Sequence, residues 1–150
     1  MKKHLLSWFL LSLMGFAMTL TFTACGSDDE ENDNSIPFTT EILVDKNCFW
    51  DIKEITGSHS GFYKGASAEF FSNGTCDGFH SMETAYRITN GKLYTYYADT
   101  NEPMFVYTLL SRFTNSNTDE LTVRVDGTFD DKSSFTIVMQ KNAKVAQVNQ

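Results

Sequence analysis

The sequence from residue 36 onward predicts an all-β domain, and three observations support that fold class. Short runs of alternating apolar and polar residues recur about every ten residues. Asn-Gly pairs at Asn73-Gly74 and Asn90-Gly91 each separate two such runs, and Asn-Gly is a strong β-hairpin signal because both turn residues adopt positive φ. The chain has no long segment of helical period, whereas parallel strands would need crossover helices. We therefore predict an antiparallel up-and-down meander of about eight strands, forming either a barrel or a β-sandwich.

Eight strands are predicted in chain order, with turn-forming stretches between them. The first strand carries Trp50, the predicted core anchor, and its alternation has mixed faces, with Trp50, Ile52 and Glu54 on one side. Before it, residues 36–44 are predicted to be an edge strand or an extended lead-in, and residues 141–150 are predicted to be a frayed or peripheral tail. The predicted strands are Phe49–Ile55, Ala66–Ser72, Thr75–Ser81, Thr84–Thr89, Lys92–Ala98, Met104–Phe113, Glu120–Val125 and Ser134–Gln140.

Residues 1–24 have the organisation of a bacterial export signal. Lys2 and Lys3 precede an apolar run from Leu5 to Leu20, and small residues lie just before Cys25. The alternative is a transmembrane helix, but the run is shorter than the roughly 20 apolar residues that cross a bilayer. We therefore predict that residues 1–24 are removed.

Cys25 is the predicted site of lipid attachment. The sequence Phe22-Thr23-Ala24-Cys25 resembles the bacterial lipobox, with Phe22 where Leu is usual. The resemblance implies cleavage before Cys25 and acyl chains such as palmitate on that residue, anchoring the protein in the outer membrane. Each buried CH₂ group of an acyl chain contributes about 0.8 kcal/mol, so two or three chains hold stably. The alternative is ordinary cleavage near Ala24, which leaves a free thiol.

The segment 25–35 is predicted to be an extended tether. It contains Asp28, Asp29, Glu30, Glu31 and Asp33 and no basic residue, and such a run repels itself and buries little surface. It resembles the acidic export signal that follows the lipidated cysteine in lipoproteins of one Gram-negative phylum. That resemblance implies a position on the cell surface, and the alternative is a spacer facing the periplasm. The chain thus divides into residues 1–24, 25–35 and 36–150.

The charge of the β domain argues against a nucleic-acid partner. Residues 36–150 carry ten Lys and Arg residues against fourteen Asp and Glu residues, a net charge of −4. A mildly acidic domain offers no basic surface for phosphates. The acidic run of the tether lacks the glycine-turned ligand alternation of a calcium loop, so neither a metal site nor a cofactor is predicted.

Several short motifs resemble the lipocalin-like domains of bacterial surface lipoproteins. They are Cys48-Phe49-Trp50-Asp51-Ile52, Ala68-Glu69-Phe70-Phe71-Ser72-Asn73-Gly74, Tyr86-Arg87-Ile88-Thr89-Asn90-Gly91-Lys92-Leu93 and a final Thr136–Lys141 strand. The resemblance covers roughly residues 45–141 and implies a small up-and-down barrel. The glycine that lies two places before the tryptophan in true lipocalins is replaced here by Cys48. The ligands of such domains are largely unassigned, so the resemblance assigns no binding residue.

Cysteines, histidines and carboxylates indicate no catalytic centre. Cys48 and Cys76 either form a disulfide, which would contribute roughly 3–4 kcal/mol by loop closure, or remain as two thiols. His59 and His80 lack a second ligand at metal spacing and are predicted to be surface residues. Acidic pairs lie at turns, and no Gly-x-Ser-x-Gly elbow is present. We therefore predict that the protein is not an enzyme.

Aromatic residues on both faces of two strands suggest a contact surface. Tyr94 and Tyr96 share one face of their strand, and Tyr107 lies on the next strand. Tyrosine combines an apolar ring with a polar tip, so these three residues, together with Trp50, are the predicted ligand contacts. The alternative is that the second face is covered by the lead-in, the tail or a sheet partner.

The sequence leaves two main functional hypotheses. The first is a surface-anchored binding module for a small apolar or glycan ligand. The second is a structural or interaction subunit that contacts another outer-membrane protein through exposed aromatic faces. A continuous internal cavity would favour the first hypothesis, and a filled core with an exposed apolar patch would favour the second.

Overall fold

A computed structural model describes residues 35–98, 100–128 and 132–144, which form an antiparallel β-sheet and one short helix. The predicted signal, Cys25 and nearly all of the acidic tether lie outside these residues. No described helix has the length and apolar character needed to span a membrane. The helix α1 is Thr40–Leu43, and the strands are β1 Cys48–Thr56, β2 Ser67–Phe70, β3 Cys76–Asp77, β4 Ala85–Thr89, β5 Lys92–Tyr96, β6 Phe105–Thr114, β7 Asp119–Gly127 and β8 Ser134–Ala143.

The eight strands form one nearly closed barrel-like sheet with the order β3-β2-β1-β8-β7-β6-β5-β4. Every neighbouring pair is antiparallel. At the seam between β3 and β4, Thr75 bridges Ala85, and the Cys76 N–H donates to the Thr84 carbonyl at 3.0 Å. The predicted up-and-down meander is therefore confirmed, in its barrel form.

A β-bulge explains the mixed faces of β1. The register with β8 shifts between Ile52 and Glu54, which places one extra residue in β1. Trp50 and Ile52 point into the core as predicted, but Glu54 is exposed and Ile55 is half-buried. The predicted position of Glu54 on the Trp50 face is wrong because strict alternation ends at the bulge.

The lead-in closes one end of the barrel. The Ile36 N–H donates to the Leu109 carbonyl, and the Phe38 N–H donates to the carbonyl of Gly91 in the β4–β5 turn, both at 2.8 Å. α1 follows, and its buried Leu43 accepts a hydrogen bond from Trp50 Nε1 at 2.9 Å. The lead-in is thus neither a full edge strand nor simply extended. We call the end that it covers the closed end.

Apolar side chains fill the barrel between its two ends. Leu93, Leu109, Leu121, Val123 and Ile137 are all fully buried, as expected for inward positions of a small eight-stranded barrel. A ligand therefore has room only at an end of the barrel or on its outer wall. In an up-and-down meander, the loops after β1, β3, β5 and β7 all lie opposite the closed end, and we call that end the open end.

Candidate functional site

The predicted tyrosine contacts do not form one surface. The β5–β6 register places Leu93 opposite Tyr107 and Tyr94 opposite Val106, so Tyr94 and Tyr107 lie on opposite faces of the sheet. Tyr107 is fully buried and Trp50 is 2% exposed, which makes both of them core residues rather than exposed contacts. Tyr96 is only 9% exposed. Tyr94 and Tyr96 stay candidates on the outer wall.

Cys48 and Cys76 are free thiols in the structure, which is the second of the two alternatives left open by the sequence. Cys48 begins β1 and Cys76 begins β3, with β2 between these strands in the sheet. The Cys76 thiol is buried and donates to the Glu83 carbonyl at 3.6 Å. Burial, reinforced by Glu83, raises the pKa of Cys76 to about 12, so this thiol is a poor nucleophile near neutral pH.

The open end holds a cavity of about 350 Å³ with an almost entirely apolar lining. The loops after β1, β3, β5 and β7 and the start of β6 build it, so its walls come from four separate connections. Cavities of this size accommodate small molecules. The lining residues are His59, His80, Met82, Tyr97, Thr100, Met104, Phe105, Gly127 and Thr128.

His59 and His80 meet at this cavity, with ring centroids 6.3 Å apart. The His59 ring stacks on Phe135 at 5.6 Å and meets Phe105 edge-on at 5.1 Å. The prediction that the two histidines are isolated surface residues is wrong. The β1–β2 loop carries His59 against the aromatic rings at the open end, and no sequence spacing signals that approach. The sequence signal nearest to it is Phe62, an apolar residue in the polar β1–β2 loop, which is buried against His59.

Hydrogen bonds assign the protons on both imidazoles. His59 Nδ1 lies 2.6 Å from the Ser60 carbonyl oxygen, which can only accept, so Nδ1 carries a proton. The Met82 N–H donates to His80 Nδ1 at 3.3 Å, so the proton of a neutral His80 ring is on Nε2. Burial, with a smaller effect from His59, lowers the pKa of His80. His80 is therefore neutral at pH 7 and offers an N–H donor.

A glycine allows His80 to occupy its position. Gly61 has φ of +93°, and a Cβ built on it would lie 2.2 Å from Cδ2 of His80. Any side chain at position 61 would therefore displace the imidazole as well as strain the backbone. The β1–β2 loop thus supplies both His59 and the space that His80 fills.

A buried Glu83–Tyr107 pair lies next to the histidines. The Tyr107 hydroxyl donates to Glu83 Oε2 at 2.6 Å, and the backbone N–H of His80 donates to Oε1 at 2.8 Å. The Thr95 hydroxyl faces the same pair but lies outside hydrogen-bond geometry. Glu83 is 1% exposed, and this burial raises its pKa in spite of the donors. The carboxyl is therefore harder to ionise than an exposed glutamate, and its hydrogen bonds hold the loop after β3 onto β6.

The cavity and the buried Glu83 carboxyl are separate features of the open end. Glu83 does not line the cavity, so its carboxyl has no contact with a molecule placed there. Within the described ranges, no three or more His, Cys, Asp and Glu side chains are grouped to hold a metal ion. The cavity combines apolar walls with a few polar groups, which is the usual composition of a small-molecule site.

The chain matches no known protein-family model, no curated protein and no solved structure. The relationship to lipocalin-like lipoprotein domains therefore stays a prediction from the motifs. Function has to be argued from the geometry of the site.

Proposed function

We propose that this chain is a surface lipoprotein whose barrel binds a small, predominantly apolar molecule in the cavity at the open end. The observation that supports this proposal is the 350 Å³ apolar cavity, built by four connections above a filled core. The filled core is the condition that favours an interaction subunit, so the binding proposal rests on this cavity at the open end and not on an internal one.

The lining indicates the chemistry of the ligand. Phe105 and Tyr97 supply aromatic surface, and Met82 and Met104 supply flexible thioether side chains that adapt to irregular shapes. His80 supplies an N–H donor on a neutral ring. The ligand that best fits has an apolar body and one hydrogen-bond acceptor, such as a carbonyl or ether oxygen. A strongly charged ligand would meet no charged partner among these residues.

A protein partner is the competing occupant of this end. Tyr63 is 64% exposed and Tyr97 is 51% exposed, so two of the open-end loops present apolar side chains to solvent. Tyrosines also surround the openings of small-molecule sites, where the ring contacts the ligand and the hydroxyl stays in solvent. The concave, almost entirely apolar cavity behind them supports the small molecule over the protein.

Blocking the cavity should abolish ligand uptake without affecting the fold. We expect Met82→Trp, at a lining position that is 43% exposed, to weaken binding of the neutral dye N-phenyl-1-naphthylamine at least tenfold, or about 1.4 kcal/mol. The dye's fluorescence is titrated against the mature chain carrying Cys25→Ala, so that no acyl chain competes for the dye.

Leu110→Trp is the matched control, since Leu110 is 38% exposed and does not line the cavity. It should bind the dye like the parent protein. Met82→Trp binding the dye as tightly as Leu110→Trp would show that the cavity is not an apolar binding site, and so would a parent protein that binds no dye. Either result would favour a protein partner at this end.

The anchor is tested separately. In cells supplied with radiolabelled palmitate, the parent protein should incorporate label and Cys25→Ala should incorporate none, because the proposed acyl chains are attached to that residue. Protease added to intact cells should degrade the parent if it faces outward. Labelled Cys25→Ala protein would contradict the lipid site, and protection from protease would place the domain in the periplasm.

A further inference from the structure

The outer wall carries a second cavity, unlike the first in composition. It has a volume of about 410 Å³ and a mainly polar lining. It lies beside the β3–β4 seam, on the outward face of the β4–β5 hairpin, and is separate from the proposed apolar site apart from Thr100, which lines both. We call it the outer groove, and the residues that matter to its chemistry are Asn73, Arg87, Tyr96, Thr100 and Asn101.

Arg87 lies over an aromatic ring on the wall of the outer groove. The β4–β5 register pairs Arg87 with Tyr94 and Ala85 with Tyr96, so Arg87 and Tyr96 are diagonal neighbours on one face. The Arg87 guanidinium lies over the Tyr96 ring, 5.1 Å from its centroid. Because Tyr96 is nearly buried, it forms a fixed platform. A guanidinium held over a ring loses little side-chain conformational entropy when it binds a ligand.

Arg87 has no carboxylate partner among the described residues, whereas the other two described arginines do. Arg112 pairs with Asp119 at 2.9 Å, and Arg124 pairs with Asp126 at 3.1 Å. With respect to the part of the chain that the structure describes, the guanidinium in the outer groove is therefore a forked donor with unused capacity. Its natural complement is a carboxylate, which can accept two parallel N–H bonds from it.

The neighbouring groups suit hydroxyls. The side-chain carbonyl of Asn73 accepts from the N–H and hydroxyl of Thr75 at 3.1 and 2.7 Å, which leaves its amide nitrogen as the remaining donor. Asn101 adds an amide, and Thr100 adds a hydroxyl that donates to the Glu102 carbonyl at 3.3 Å and so is left to accept. The described lining residues thus place one cation beside several neutral polar groups, which matches a ligand with one acid group and several hydroxyls. A phosphate site would more commonly combine several cations or a helix N-terminus.

We propose that the outer groove binds an acidic saccharide, with the sugar carboxylate on Arg87 and its hydroxyls on the amides of Asn73 and Asn101. This site lies beyond the apolar cavity and does not depend on it. It would give a cell-surface protein a contact with uronic-acid polysaccharides while the open end stays available.

Isothermal titration calorimetry with trigalacturonic acid tests the proposal on the mature lipidated chain in a non-ionic detergent. Binding is expected, and the fully methyl-esterified trisaccharide should bind at least tenfold more weakly because its carboxylates are neutral. Arg87→Gln should weaken binding of the acid at least tenfold, and Arg87→Lys should weaken it too, since a point charge cannot replace the fork. Arg124→Gln, which removes the same charge elsewhere on the surface, should bind like the parent.

The proposal is overturned by no binding of the acid, by equal binding of the acid and its ester, or by equal affinities for Arg87→Gln and Arg124→Gln. Inorganic phosphate binding as tightly as the trisaccharide would also overturn it, by showing a general anion site. Met82→Trp should leave saccharide binding unchanged, so failure at the outer groove and failure at the apolar cavity are distinguishable.

Discussion

Glu83→Ala should destabilise the barrel by about 3–5 kcal/mol, because it leaves two buried donors without an acceptor and opens a cavity. The donors are the Tyr107 hydroxyl and the His80 backbone N–H. An unsatisfied buried polar group costs about 1–3 kcal/mol. For a domain of this size we expect Tm to fall by about 10–20 °C, as measured by circular dichroism at pH 7.

Glu83→Gln separates the hydrogen bonds from the charge. The amide can accept from the His80 N–H and donate to the Tyr107 oxygen, so stability at low pH should change little. Burial raises the pKa of Glu83 in the folded state, so the stability contributed by the carboxyl is fully present below its unfolded pKa of about 4.3. That contribution is lost as the pH rises through the folded pKa. The variant's stability relative to the parent should therefore increase from pH 5 to pH 9.

Urea unfolding at several pH values measures both effects. Parallel pH profiles for Glu83→Gln and the parent would contradict a buried carboxyl with a raised pKa. A Glu83→Ala protein as stable as the parent would show that the hydrogen bonds to Glu83 do not hold the β3–β4 loop.

Trp50→Ala should have a comparable cost, about 3–5 kcal/mol, as expected for truncating a large buried aromatic residue. Trp50 is 2% exposed, and its indole donates to the Leu43 carbonyl of the lead-in at 2.9 Å. Trp50→Phe retains most of the apolar surface but leaves that carbonyl without its donor. We expect this variant to lose about 1–3 kcal/mol of unfolding free energy. Guanidinium unfolding followed by circular dichroism measures both variants.

The same variant tests whether Trp50 contacts ligand, as the sequence suggested. Trp50 holds the lead-in at the closed end, so Trp50→Phe should bind N-phenyl-1-naphthylamine like the parent protein at temperatures where both are folded. A loss of dye affinity as large as that of Met82→Trp would show that Trp50 contacts the ligand. It would contradict a binding cavity confined to the open end.

Local signals were enough to place most of the strands, although the predicted Thr75–Ser81 strand is only Cys76–Asp77 and β8 continues to Ala143, three residues into the predicted tail. Asn90-Gly91 forms the predicted β4–β5 turn, with positive φ at both residues, and Thr84–Thr89 and Lys92–Ala98 differ from β4 and β5 by one or two residues at an end. Hairpin chemistry is encoded in adjacent residues, so it can be read without knowing the fold. The predicted face of Glu54 was wrong because pairing with β8 introduces a bulge into β1, and that bulge turns Glu54 outward.

The candidate sites could not be read in the same way. His59 and His80 are distant in sequence, and Glu83 reaches Tyr107 only because the β3–β4 loop folds over the barrel end. Tyr107 looked like a surface aromatic because its polar tip suits water, yet a buried carboxyl satisfies that tip. Such pairings depend on which loops share an end of the barrel.

Residue order alone predicts the all-β meander, because the alternation of apolar residues and the φ preferences of Asn-Gly act between neighbours in the chain. Residue order also contains the proposed localisation signals, which are the apolar leader, Cys25 and the acidic run after it. Closure of the barrel was needed to bury Tyr107, to bring two histidines to one apolar cavity and to leave Arg87 on the outer wall without a carboxylate among the described residues. Those arrangements join residues from separate strands and loops, and only packing in three dimensions determines them.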